Sequence, residues 1–186
     1  MEGHWSHVFT HSFLALKAQC SGENEIEKDF AWASASPPSI PLATYVERIT
    51  ELLDMDKAST IIAFIYVDRL LNAKGLLLND CNIHRIVLVC LIWGHKWLED
   101  ISFSYQYLAR VGGVTKKQLF SMEHKFMSDL SFNVHVNQDT YENYENIMIT
   151  LWTSGNSPSL LNTRRRTIYK HRSRKQKRLQ YWCFAD

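Results

Sequence analysis

The side chains in this sequence that could do chemistry are few and scattered. His95 and Glu99 stand four residues apart at the end of an apolar run, a spacing that puts both on one face of a helix. Such a pair can serve as a general base and the carboxylate that orients it. The simpler reading, which we prefer, is a surface pair at a helix end. His4, His7 and His11 gather near the N-terminus, but no cysteine stands at ligand spacing from them, which argues against a metal site. Cys20, Cys81, Cys90 and Cys183 contain no C-x-x-C pair, and Cys90 is embedded among apolar residues. That is the pattern of reduced intracellular thiols, not of a zinc site or a disulfide scaffold. His84, His124 and His135 are dispersed. No nucleotide-binding glycine signature, no H-E-x-x-H and no G-x-S-x-G occurs. Gly112-Gly113 falls between helical stretches and not after a strand, so it is not read as a phosphate cradle. Asp68 is different in kind. It lies within an apolar helical stretch beside Arg69, and a buried carboxylate needs a partner. The chain therefore reads as a binding protein and not an enzyme, with no cofactor and no metal expected.

The elements that must position these groups are helical. From Ile86 to Gly94 there is no charge, and the run from Asn82 to Asp100 exceeds the roughly 4–8 residues of a strand. It predicts a helix that is apolar nearly all round and packed at the centre of other helices. It is well short of the ~18 apolar residues a bilayer span requires. Before it, Leu42, Tyr45, Val46, Ile49, Leu52 and Leu53 make one apolar face of a helix over about 41–54, with Ser39 and Pro41 as its start signal. A second helix over about 57–73 has almost no polar side, and Lys74-Gly75 reads as its stop. After the central helix comes a short one over about 103–111, closed by Gly112-Gly113. Thr115 and Gln118 form a capping box that opens a fifth, with Leu119, Met122, Phe126 and Leu130 as its stripe. A sixth begins near Asp139, where Asp139 to Glu142 resembles a further capping box, and carries Tyr141, Tyr144, Met148 and Leu151. The expected fold class is all-α.

The borders are set by composition. At 186 residues, 46% of them hydrophobic, the chain is one domain with tails. Residues 1–38 lack sustained periodicity and end in the linker-like Ser34-Ala-Ser-Pro-Pro-Ser39, so they read as a partly disordered arm whose Trp5, Phe9, Phe13, Phe30 and Trp32 could dock on the domain. The domain is expected over 39–151 and a partly disordered tail over 152–186. The net charge of +2 conceals an asymmetry: residues 1–163 hold 18 acidic and 12 basic side chains, and residues 164–178 hold nine of the 21 Lys and Arg. An acidic body argues against nucleic-acid binding by the core. The tail clusters Arg164–Arg166 and Lys175–Arg178 read either as a bipartite nuclear signal or as a solvated basic tail. No convincing signal peptide is present, and an intracellular location, nucleus or cytoplasm, is expected.

Five helices around an apolar third one, in this order, resemble the cyclin box. Ser39-Ile-Pro-Leu-Ala-Thr-Tyr-Val-Glu-Arg-Ile-Thr-Glu-Leu-Leu53 resembles its first helix, and Ala63-Phe-Ile-Tyr-Val-Asp-Arg-Leu70 its second. His84-Arg85 with the apolar run and Lys96-Trp-Leu-Glu-Asp100 is similar to the third. Tyr107-Leu-Ala-Arg-Val-Gly-Gly-Val114 has the wording of P-type and U-type cyclins, the phosphate-regulation-like group with a single box. Met122-Glu-His-Lys-Phe126 with Leu130 is similar to the fifth.

The resemblance implies a partner, a cyclin-dependent protein kinase, bound as a heterodimer and activated. It implies that Lys96 and Glu123 contact the kinase beside its mobile αC helix, with Ile92, Trp93, Leu119 and Phe126 as the apolar part of that face. It also implies that Asp68 holds Lys96 and Arg48 in a buried charge network. One departure is visible: Tyr45-Val-Glu-Arg-Ile49 replaces the M-R-x-x-L motif with which cell-cycle cyclins dock substrate peptides. The competing reading is a cyclin-fold module of the transcription-factor kind that binds nucleic acid through its basic tail.

Overall fold

The computed structural model describes residues 5–20, 31–74, 76–100 and 103–153. All regular structure among them is helical, in the order α1 (Trp5–Cys20), α2 (Leu42–Leu52), α3 (Lys57–Lys74), α4 (Ile83–Leu98), α5 (Tyr105–Val111), α6 (Lys116–Asp129) and α7 (Gln138–Thr153). The five expected box helices are α2 to α6, and the flanking sixth is α7.

The centre of the molecule is a pair of helices. On α4, the seven consecutive residues Ile86 to Ile92 are all buried, as the uncharged run requires. On α3, burial is as complete: every residue from Ser59 to Leu71 is covered, Asp68 and Arg69 included. The two approach closely because Gly94 has no side chain. A Cβ there would stand 2.5 Å from the Ser59 carbonyl oxygen and 2.9 Å from the Ala63 Cβ. The expectation of one buried helix is thus widened to a buried pair.

Around it the other helices bury single faces. On α2 these are Tyr45, Val46 and Ile49, and on α6 Leu119, Met122 and Phe126. The capping box of Thr115 and Gln118 is formed at the start of α6. At the start of α7 the cap is Asn137, whose side chain accepts the Thr140 N–H at 2.9 Å, and not the Asp139–Glu142 box expected. Gly113 takes a φ of +66°, which suits glycine in the turn between α5 and α6. The Lys74-Gly75 stop signal and the basic clusters beyond 163 lie outside the described residues, or have undescribed side chains.

The largest difference from expectation is α1. Where residues 1–38 are expected to be an aperiodic arm, Trp5–Cys20 is a helix packed on α2, α3 and α7. Val8, Phe9, Phe13, Ala15 and Leu16 belong to the core, and Phe9 meets Phe64 of α3 edge-on, ring centroids 6.1 Å apart. Trp32 docks as well. Its indole N–H donates to the Asp129 carboxylate at 3.1 Å.

Candidate functional site

The site is built from one residue of α4 and one of α6. Lys96 lies in the last turn of α4, where the helix dipole favours a cation. Glu123 lies in the middle of α6, and the burial of Leu119, Met122 and Phe126 turns it toward α4. Lys96 Nζ stands 2.7 Å from Glu123 Oε1, with the two side chains 22% and 12% exposed. The ammonium also sits 5.6 Å from the Trp93 ring centroid and 5.6 Å from that of Tyr105, so two π-faces flank it. Burial pushes the Tyr105 phenol up, and the neighbouring Glu123 carboxylate adds to the effect. A pair this covered is costly to break, because removal of one partner strands the other charge.

Around this pair the apolar residues divide differently from expectation. Ile92, Leu119 and Phe126 are core residues, fully covered in the free chain. Trp93 is half-buried and stacks on Phe126, ring centroids 5.6 Å apart. They shape the site from beneath. The apolar side chains that reach solvent are others. Phe120, three residues before Glu123 on the same face of α6, is 65% exposed. Trp97 and Leu98 follow Lys96 and are exposed too. Phe132, just beyond α6, is 71% exposed and held at a φ of +58°. A non-glycine aromatic in that region of backbone space is uncommon. Phe120 was legible as a residue outside the Leu119–Met122–Phe126 stripe, and its signal was its phase.

The expected charge network takes another form. Asp68 accepts a 2.5 Å hydrogen bond from the Tyr144 hydroxyl of α7, while Lys96 is committed to Glu123. Arg48 is exposed and donates to the Arg110 carbonyl at 3.4 Å. The packing register explains this. Gly94 sits against Ser59 and Ala63, so Lys96 lies at the early part of α3, roughly 10 Å or more along the axis from Asp68 at 1.5 Å per residue. The Asp68 partner came from a helix that the box motifs do not include.

His95 also differs from the surface pair expected. It is 5% exposed, stacked on Phe103 at 5.2 Å, and both ring nitrogens lack hydrogen-bond partners. Burial lowers its pKa, against the weaker opposing effects of Glu99, Asp56 and Asp54. Glu99 itself is exposed at the helix end, its N–H bonded to the His95 carbonyl. No base-and-orienter arrangement is present here. The Cys90 thiol, fully buried, is pushed well above its ordinary pKa, which suits a packing role. Among the described residues no group of three or more His, Cys, Asp or Glu is placed to hold a metal ion, and no helix is long and apolar enough to cross a membrane.

The family model for cyclins matches residues 12–134, well over half of the 186. The chain belongs to the cyclin family. This cyclin is similar to Cyclin-U4-3 of Arabidopsis thaliana, 28% identical over 136 residues, which cover 72% of this chain and 62% of that one. It is similar to Cyclin-U1-1 of the same plant, 33% identical over 115 residues, 61% of this chain and 55% of the relative. Cyclin-P4-1 of Oryza sativa subsp. japonica is 27% identical over 115 residues, covering 61% and 54%. The kinship thus runs to the U-type and P-type cyclins, as the Val111-Gly-Gly-Val114 wording indicated. The cyclin spans between about half and two thirds of the length of the curated relatives it matches.

Proposed function

We propose that this cyclin is the regulatory subunit of a cyclin-dependent protein kinase and that it activates the kinase through the face formed by α4 and α6. The observation that carries this reading is the Lys96–Glu123 pair, covered on its inner side by Trp93 and Tyr105 and bordered by the exposed Phe120.

The mechanism follows from what a kinase needs. Its β3 lysine and αC glutamate must pair before ATP is correctly held. A rigid surface that binds only the state with αC turned inward shifts the population toward that state by its difference in affinity. Two packed helices that present a fixed ion pair and an aromatic side chain form such a surface. Lys96 and Glu123 satisfy each other in the free chain, so neither charge is stranded before the partner arrives. On binding, they would offer their remaining hydrogen-bonding capacity to the backbone and side chains at the end of αC. The chain would contribute no catalytic group.

The test is affinity purification of the full chain, with co-purified kinase identified and assayed against that recovered with Lys96→Ala and Glu123→Ala. Recovery of an active kinase by the wild type and not by folded variants supports the reading. Equal recovery by all three moves the partner to another surface. Duplex DNA retained with a steep salt dependence, and no kinase, would favour the nucleic-acid-binding alternative.

A further inference from the structure

Ser36 is followed by Pro37 and Pro38 in a short strap that runs from Trp32 to the start of α2. Both ends of the strap are fixed. Trp32 is buried and bonded to Asp129, and the Ile40 carbonyl lies 3.0 Å from His84 Nε2. Midway, the Ser34 N–H donates to the Cys81 carbonyl at 2.9 Å. The Ser34 hydroxyl lies 2.8 Å from that same carbonyl oxygen and 2.7 Å from the Ser36 carbonyl oxygen. One hydroxyl reaches both, so Ser36 is held beside the entry to α4. Ser36 to Ser39 are nevertheless exposed and belong to no helix.

A serine followed by proline has two properties that a kinase can read. Proline biases the residue before it to extended backbone, the shape of a peptide lying in a cleft. It also has no N–H, so an apolar pocket can accept it without leaving a donor unsatisfied. We propose that Ser36 is a phosphoacceptor for a proline-directed serine/threonine kinase. That the enzyme is the kinase bound by this same chain rests on the function proposed above. The Ser36 hydroxyl oxygen attacks the γ-phosphorus of magnesium ATP, and a new O–P bond forms as the β–γ bridging bond breaks. ADP leaves, and the hydroxyl proton passes to the kinase's catalytic aspartate.

The product has a defined setting. A phosphoserine carries about −1.5 to −2 charges at pH 7. Here it sits on a strap tied through Ser34 to Cys81, just before α4, with Arg85 and His84 holding the strap's ends at the Ala31 and Ile40 carbonyls. The helix end and the Arg85 guanidinium favour an anion near the strap. Asp80, the nearby carboxylate, is exposed and paired with Lys17. For Ser36 to enter a kinase cleft, the Ser34 contacts with the Cys81 carbonyl must be released.

The experiment incubates the full chain with magnesium ATP and an added proline-directed kinase, and maps phosphate by fragment mass. A synthetic peptide of residues 31–41 serves as control. Mapping separates Ser36 from Ser157, the other serine followed by proline, which lies outside the described residues. The expected result is phosphate at Ser36, lost in Ser36→Ala, slowed more than tenfold in Pro37→Ala, and faster in Ser34→Ala, where the strap is released. The proposal is overturned if the peptide is modified while Ser36 of the chain is not, or if neither is. Should Ser36 be modified by the added kinase while no kinase co-purifies with the chain, the site stands and only the identity of its enzyme falls with the proposed function.

Discussion

Lys96 and Glu123 pair with each other in the free chain, and the function proposed above has both meet the kinase, which single substitutions test. Truncating one member of a hydrogen-bonded interface pair costs about 2–5 kcal/mol, and each ~1.4 kcal/mol is a tenfold change in affinity. Lys96→Ala and Glu123→Ala are therefore expected to weaken kinase recovery by more than tenfold, with helical content by circular dichroism as the folding control. Phe120→Ser is expected to weaken kinase recovery while the melting temperature holds, because Phe120 is exposed in the free chain. Tyr144→Phe is the reverse case. It removes a hydrogen bond to the buried Asp68 and should cost about 1.5–3 kcal/mol in a urea titration, leaving the α4–α6 face in place. The need of Asp68 for a partner could be read from its apolar surroundings. The identity of that partner could not, because Tyr144 is 76 residues away and only the packing of α7 on α3 brings it near. Likewise, periodicity marked Leu119 and Phe126 as apolar but did not divide what faces the core from what faces a partner.

His95 predicts a pH dependence. Its folded pKa lies below its ordinary value of about 6.5 because burial penalises the imidazolium. Between those two values the unfolded chain binds the proton more readily, so stability rises with pH there. The contribution is fully present above about pH 6.5 and is lost as pH falls through that window. His84, also lowered by burial, acts in the same direction. The groups around His95 are Glu99, Asp56 and Asp54, which favour its protonation, and Lys96, which opposes it. A denaturant titration repeated from pH 7.5 to 5.5 should show a smaller loss for His95→Gln than for wild type. Equal slopes would remove His95 as a source.

At the scale of helices, the α3–α4 contact is the least tolerant place. Gly94→Ala would press a methyl group against the Ser59 backbone carbonyl, which cannot swing away as a side chain can. Overpacking of this kind costs about 1–3 kcal/mol, and a clear fall in melting temperature is the expected outcome. Five of the seven helices among the described residues carried their own start, stripe or stop signals in the sequence, from the Thr115–Gln118 box to the uncharged run of α4. The sixth, α7, was placed correctly but capped by Asn137. The seventh, α1, was hidden for a physical reason. Its buried face runs through Val8, Phe9, Ser12, Phe13 and Leu16, with Thr10 buried beside it, so polar residues interrupt the apolar stripe. Helical spacing was present, but hydrophobic contrast was not.

For the whole molecule, α1 is part of the core and not an appendage. Burying each large apolar side chain contributes about 1.5–3 kcal/mol, and α1 supplies Val8, Phe9, Phe13 and Leu16. Their sum is comparable to the 5–15 kcal/mol that holds a typical domain folded. A chain starting at residue 31 is expected to lose its cooperative thermal transition, whereas one starting at Trp5 should keep it. Differential scanning calorimetry distinguishes the two.

The first and last described helices also run side by side in the same direction. Lys57 touches the Trp5 ring and pairs with Glu145, while His11 meets Trp152 edge-on at 5.5 Å. Six residues along α1 thus match seven along α7. The leading end of α1 and the trailing end of α7 therefore lie at opposite ends of the stretch over which the two helices overlap. Tension applied between the termini loads that seam lengthwise. The two helices must slide past each other with all their contacts strained at once, and cannot peel apart one contact at a time. As a mechanical object, this small domain is joined like a lap joint rather than a zip.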